Sequence, residues 1–186
     1  MAIPHLETAL AVLASYDLPE GIVVHSRGVA RVSRTAAELL AAAGIPVDAD
    51  LVEVAALLHD IDKLETRRTG EPHGIVGARW LTEAGYAELA MPVASHPIGC
   101  LLDEDRFPRG WPSVLVSIAD RHVTDSFVTI DERVDDLLAR YPDDRVLIEL
   151  ARRPAHALEA ELAEVVGLST DDLVQRLRAA WTAVPA

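Results

Sequence analysis

An all-α domain is what this sequence predicts, and three observations lead there. Apolar residues recur at helical spacing along nearly the whole chain, punctuated by Gly and Pro. No segment alternates as a half-buried strand should, and "VTI" at Val128 to Ile130 is too short to carry one. Ala, Leu and Val dominate, with hydrophobic residues at 50% and aromatics at 4%. That composition suits helices packed closely through small side chains.

Taken in order, the first helix covers His5 to Ser15. The second runs from Glu20 to Ala43 and stops at Gly44-Ile45-Pro46, where Gly ends a helix and Pro cannot continue one. The third starts near Asp50, which with Glu53 makes a D-x-x-E variant of the capping box, and runs to Asp62. Pro72 and Pro112 suit the first turn of two further helices, over His73 to Ala84 and Pro112 to Asp125. A shorter helix spans Tyr86 to Ser95. Three more follow: Ile130 to Arg140, Pro142 through Glu149 and on to Val166, and Ser169 to Ala183. No internal repeat or flexible linker divides the chain, so one domain over residues 1–186 is expected.

Lys and Arg number 17 against 30 Asp and Glu, a net charge of −13. This balance argues against a nucleic-acid partner, since sequence-independent binding puts Lys and Arg on the phosphates. One small anionic substrate held by local positive charge stays compatible. Cys100 is the only cysteine, so no intramolecular disulfide forms. The opening stretch lacks a basic region and carries Glu7 and Asp17, unlike a signal peptide. The longest charge-free run, Leu89 to Leu102, contains Pro92, His96 and Pro97 and falls short of the roughly 20 apolar residues a membrane helix needs. A soluble cytoplasmic protein with no membrane partner is expected.

The polar residues that interrupt the apolar faces carry the functional signal. The segment "ALLHDIDK", Ala56 to Lys63, takes His59 and Asp60 off the end of a helix that is apolar almost all round and therefore central. A buried carboxylate is costly unless it is paired or binds a metal. Alone, the dipeptide reads rather as a helix end surfacing into solvent, with His59 and Asp60 simply solvated. His25 falls on a stripe with Ile22, Val29, Val32 and Ala36, where a lone histidine is more often a satisfied core residue. His73 opens a stripe with Val76, Gly77, Trp80, Leu81 and Ala84. His96 ends a helical run just before Pro97. Asp120 follows Ser113, Val116 and Ser117 on one face. Together these give four imidazoles and two carboxylates, a set suited to borderline transition metals.

The order H…HD…H…H…D, through "HSRGVARVSRTAAELLAAAG", "ALLHDIDK", "HGIVGARWL", "ASHP" and "SIADR", resembles the HD-domain superfamily of metal-dependent phosphohydrolases. It is most similar to the HDIG-type branch, which includes bacterial hydrolases of dinucleoside tetraphosphates. The resemblance covers about His25 to Arg121. It implies an HD-domain helical bundle with a metal-binding core at about 20–126 and additional C-terminal helices at about 130–183. Those helices are acidic and are read as a cap or a homodimer contact.

The resemblance further implies two divalent transition-metal ions, Fe or Mn first, with Co, Ni or Zn also suitable. His25, His59, Asp60 and Asp120 would hold one. Asp60, His73 and His96 would hold the other, with Asp60 bridging. Asp60 and Lys63 would carry the catalysis, Lys63 as a mobile point charge on phosphate; its other reading is a lysine complementing a helix C-terminus. The reaction implied is cleavage of a phosphoester or phosphoanhydride in a nucleotide or similar small phosphorylated substrate, by a hydroxide held between the metals. The same six ligands also occur in mixed-valence di-iron oxygenases, and a non-catalytic nucleotide sensor is a third reading. The chain departs from the branch at Asp62, where glycine is frequent; Asp62 is expected to face solvent, the alternative being that it orients a ligand or Lys63.

Arg67, Arg68 and Arg121 could each meet phosphate, though solvation is the expected fate of any one. The substrate pocket is expected between the loops Glu65–Glu71 and Leu101–Gly110. His5 and His156 are expected at the surface, His122 to point away from the metal face, and Cys100 to be a small hydrophobe at the edge of the site.

Overall fold

The computed structural model describes residues 3–182 and is all-α, as expected. The α-helices in chain order are α1 (Leu6–Ser15), α2 (Glu20–Ala42), α3 (Ala49–Leu57), α4 (Lys63–Thr69), α5 (Ile75–Glu83), α6 (Ala90–Ser95), α7 (Trp111–His122), α8 (Ile130–Arg140), α9 (Arg145–Val165) and α10 (Thr170–Thr182). The "VTI" segment makes no strand; beside it lies one isolated bridge, Val123 to Phe127. Ala183, the expected last residue of the final helix, lies outside the described residues.

Helix α3 sits at the centre, packed against α2 and α7. Its Val52, Val54, Ala55, Ala56 and Leu57 are all buried, because beyond Asp50 and Glu53 the helix has no polar residue to show to water. Small residues let these helices approach closely. Gly28 on α2 shows how closely: a Cβ there would lie 2.0 Å from the Trp181 ring on α10. The C-terminal helices are thereby docked onto the core, with α9 against α8 and against the 3-10 turn Ile98–Leu102.

Four local expectations are corrected. The cap of α3 is Asp48, whose Oδ1 accepts from the N–H groups of Asp50 and Leu51 at 3.0 Å each. Asp50 is therefore inside the first turn, and the Asp50 and Glu53 carboxylates instead accept from Arg34 at 2.9 and 2.5 Å. Helix α3 stops at Leu57, short of Asp62. The chain turns through i→i+3 bonds, Ile61 N to Leu58 O at 3.4 Å and Lys63 N to Asp60 O at 3.1 Å, before α4 begins. Glu65–Glu71, expected as a loop, lies mostly in that helix. Pro72 precedes α5 rather than opening it, and Gly74 takes the N-cap position at φ +85°. Side-chain substitution there would bring a Cβ within 2.7 Å of the Val93 carbonyl, so both the backbone conformation and the close approach demand glycine. Helix α8 starts with a T-x-x-E capping box, Thr129 and Glu132.

Candidate metal centre

Five segments bring the six expected residues to one place. His59 and Asp60 occupy the turn after α3, His25 comes from α2, His73 from the turn before α5, His96 from the end of α6 and Asp120 from the last turn of α7. His59 and Asp60 are fully buried or nearly so. The two oxygens of Asp60 face different partners. Oδ2 lies 3.7 Å from His25 Nε2 and 3.5 Å from His59 Nε2. Oδ1 lies 2.9 Å from His73 Nε2 and 3.6 Å from His96 Nε2. Asp120 Oδ1 completes the first side, 3.2 Å from His25 Nε2 and 3.7 Å from His59 Nε2. His25, His59 and Asp120 form one triad whose ligand atoms lie within 4.8 Å of one another; His59, Asp60 and His96 form another.

The outer nitrogens show that these imidazoles fit metal ions. His59 Nδ1 donates to Ala56 O and His96 Nδ1 to Val93 O, both at 2.6 Å. His73 Nδ1 meets Asp62 Oδ1 at 2.7 Å. With Nδ1–H engaged, each Nε2 presents a lone pair inward. Yet His73 Nε2 and His96 Nε2 are 3.0 Å apart, and His25 Nε2 and His59 Nε2 are 3.2 Å apart. Two lone pairs do not stay at such distances without a cation or a proton between them. Nitrogen and carboxylate donors in this mixture suit divalent transition metals.

The expectation that Asp62 faces solvent is overturned. It is buried, and besides its bond with His73 its Oδ2 accepts from Gly74 N at 2.8 Å and Gly77 N at 2.9 Å. One carboxylate thus orients a site histidine and satisfies the free N–H groups at the start of α5. These tertiary bonds hold Asp62 in the turn rather than in a continuing helix. Gly77 matters for the same reason: a Cβ there would meet Ile61, Val93 and Asp62 at 3.3–3.4 Å.

Charge is balanced within the cluster. Burial alone would raise Asp60, but neighbouring imidazoles and the Lys63 ammonium, at 2.5 Å from Oδ2, hold it well below the usual carboxylate range. Burial would likewise raise Asp120, which the His25 hydrogen bond and the Arg133 and Arg121 guanidinium groups pull well down. Burial drives His59 down to about 3, so it is neutral and available as a ligand. For His73 burial also works downward, but the hydrogen bonds to Asp60 and Asp62 outweigh it and carry the group up to about 9. A proton therefore occupies His73 wherever a metal does not.

Arg121 is the second correction. Rather than being solvated it is buried, with Nη1 on Asp120 Oδ2 at 2.8 Å and Nη2 on His96 O at 2.7 Å. It ties a carboxylate on one side of Asp60 to the backbone of a histidine on the other. His122 points away from the cluster, as expected, and is buried against Glu159 at 2.7 Å and Val128 O at 2.8 Å. Cys100 is buried at the edge of the site; His5 is exposed and His156 partly so.

A cavity of about 1180 Å³ opens over the cluster. Lys63, Arg67 and Arg106 line it on the core side, so the two expected segments do contribute. Arg133, Leu137 and Tyr141 from α8 and its end line it as well, with Leu147 and Ile148 from α9. Arg133 was not singled out in the sequence. The available signal was its place one turn into a capped helix, which says nothing about what that helix faces. Among the described residues no helix is long and apolar enough to cross a membrane.

Residues 22–125 match the model of the HD domain, and the chain belongs to that family. It is 30% identical over 146 residues to an uncharacterized protein of Methanocaldococcus jannaschii, an alignment covering 73% of this chain and 83% of that protein. It also resembles the crystal structure of a predicted HD superfamily hydrolase from an uncultured Thermotogales bacterium, with 25% identity and a TM-score of 0.48, covering 96% of this chain and 94% of that one.

Proposed function

We propose that this chain is a metal-dependent phosphohydrolase of the HDIG type, cleaving a phosphoester or phosphoanhydride in a nucleotide or other small phosphorylated metabolite. The observation that carries the reading is the buried Asp60, with two imidazole Nε2 atoms facing each of its oxygens. His25, His59, Asp120 and Asp60 Oδ2 would hold one divalent ion; Asp60 Oδ1, His73 and His96 would hold a second. Iron or manganese ions would supply Lewis acidity and a water acidic enough to attack at neutral pH.

The chain's own groups do the rest. Neutral His59 and His96 keep their lone pairs inward because backbone carbonyls hold their Nδ1–H groups. Arg121 fixes Asp120. Lys63 is partly exposed and lines the cavity, and its flexible stem would let the ammonium now on Asp60 reach a phosphoryl oxygen.

The test is turnover on a panel of nucleotides and phosphoesters under strict anaerobiosis, with protein loaded with Mn²⁺ or Co²⁺. Activity is expected there. Lys63→Ala should lower kcat/KM by about tenfold to a hundredfold with metal retained, as for a charge-assisted contact of about 1.5–3 kcal/mol made in the transition state. Turnover that consumes oxygen, requires iron and ignores Lys63 would sink the hydrolase in favour of an oxygenase.

A further inference from the structure

Arg133 is a buried charge that the protein itself leaves poorly paired. It is 9% exposed. Its Nη1 lies 3.4 Å from Asp136 Oδ2, an oxygen that Arg140 also uses. Its Nη2 lies 3.7 Å from Asp120 Oδ1, and its Nε is buried with no partner. Arg121 shares the unpartnered Nε but holds its two acceptors closely, at 2.8 and 2.7 Å. A guanidinium brings five N–H donors in a planar fork. Burying that fork against long contacts is unfavourable unless something else accepts from it.

Its position says what that is. Asp120 has its close cation in Arg121 at 2.8 Å, while Arg133 adds charge from 3.7 Å, beyond hydrogen-bond distance, and so keeps its donors free for another acceptor. The Asp120 oxygen that Arg133 faces is the one facing His25 and His59. A second cation beside ligands of a divalent ion is repelled unless an anion lies in contact with both. Arg133 also lines the cavity, and the guanidinium fork matches the spacing of oxygens on a tetrahedral oxyanion.

We propose that Arg133 binds the phosphoryl group of the substrate, delivered by α8 from outside the residues that match the HD domain. The proposal rests on the hydrolase reading for the identity of the anion. It gives the C-terminal helices a part in substrate recognition: the core presents the metal ligands and Lys63, and α8 closes over the anion from the other side.

The experiment uses the full chain loaded with Mn²⁺ and titrated with inorganic phosphate by calorimetry, with metal content and thermal midpoint measured on each variant. Arg133→Met keeps much of the volume and removes the charge; Arg133→Lys keeps the charge and removes the fork. Arg133→Met is expected to weaken phosphate binding about tenfold to a hundredfold, the loss of one or two charge-assisted contacts, with metal stoichiometry unchanged. Arg133→Lys should recover part of that affinity, and it decides the matter if the Met variant does not fold. Unchanged phosphate affinity in the folded variants, loss of metal together with phosphate, or a wild type that binds no phosphate would each overturn the assignment. The hydrolase reading fails separately. Phosphate binding that depends on Arg133, in a protein that cleaves no phosphoester, would remove the reaction and keep the site. Cleavage indifferent to Arg133 would do the reverse.

Discussion

Asp62→Asn is the most informative single change, because it alters one atom and should flip the proton on His73. In the native chain the carboxylate can only accept, so Asp62 Oδ1 at 2.7 Å keeps a proton on His73 Nδ1 and leaves Nε2 free for a metal. The amide is almost the same size. Its oxygen can keep accepting from Gly74 and Gly77 N–H, 2.8 and 2.9 Å from Oδ2, which places its NH2 against His73. Neutral His73 must then accept at Nδ1 and carry its proton on Nε2, where it cannot ligate. Loss of such an orienting partner typically costs 10–100-fold in metal affinity, about 1.4–2.7 kcal/mol. The fold should suffer less. Two backbone bonds survive without their charge assistance, a loss of about 1–2 kcal/mol. The assays are competition with a chelator for Mn²⁺, denaturant unfolding of the metal-free protein, and heteronuclear NMR of the imidazole nitrogens to read the tautomer. On the proposed two-ion reading, one ion should remain tight and the other weaken. Wild-type affinity for both ions, with His73 still protonated at Nδ1, would refute the reasoning.

Proton release should accompany metal binding. His73 is held up to about 9 by Asp60 and Asp62 against the effect of burial, so at pH 7–8 an incoming ion displaces about one proton. Affinity should rise about tenfold per pH unit until pH approaches 9, and calorimetric heats should vary with the ionisation enthalpy of the buffer; heats independent of buffer would contradict this. The sign for the metal-free fold is opposite: His73 contributes full stability below its ordinary 6.5 and loses it as pH rises through about 9. His122→Ala should leave metal stoichiometry intact yet destabilise the protein by about 1–3 kcal/mol, because it takes from the buried Glu159 its closest hydrogen-bond donor; a loss below about 0.5 kcal/mol in urea unfolding would show that pairing to be unimportant. Gly28→Ala should cost about 1–3 kcal/mol by driving a methyl into Trp181, and Trp181→Ala in the same chain should recover part of it; additive losses would place the strain elsewhere.

The helices were legible in the sequence because each depends on neighbours a few positions away. Apolar spacing, Gly44-Ile45-Pro46 and Pro112 settled where α2 ends and α7 begins without reference to the rest of the chain. The six residues that gather around Asp60 could be picked out too, because each interrupted an apolar face or ended a helix and because their order resembles that of HD domains. What sequence could not decide were the partners of charged groups. Asp62, Arg121 and Arg133 all look like surface residues when read locally, and all three are buried. Their fates depend on groups far along the chain: Asp62 on Gly74 and Gly77, Arg121 on His96, Arg133 on Asp120. Burial of an ion is unfavourable until those partners arrive, and only tertiary packing brings them. The turn after α3 has the same origin. Local propensity would have continued the helix to Asp62; the three bonds to its carboxylate, all made across the fold, ended it at Leu57 and let Asp60 face both pairs of histidines.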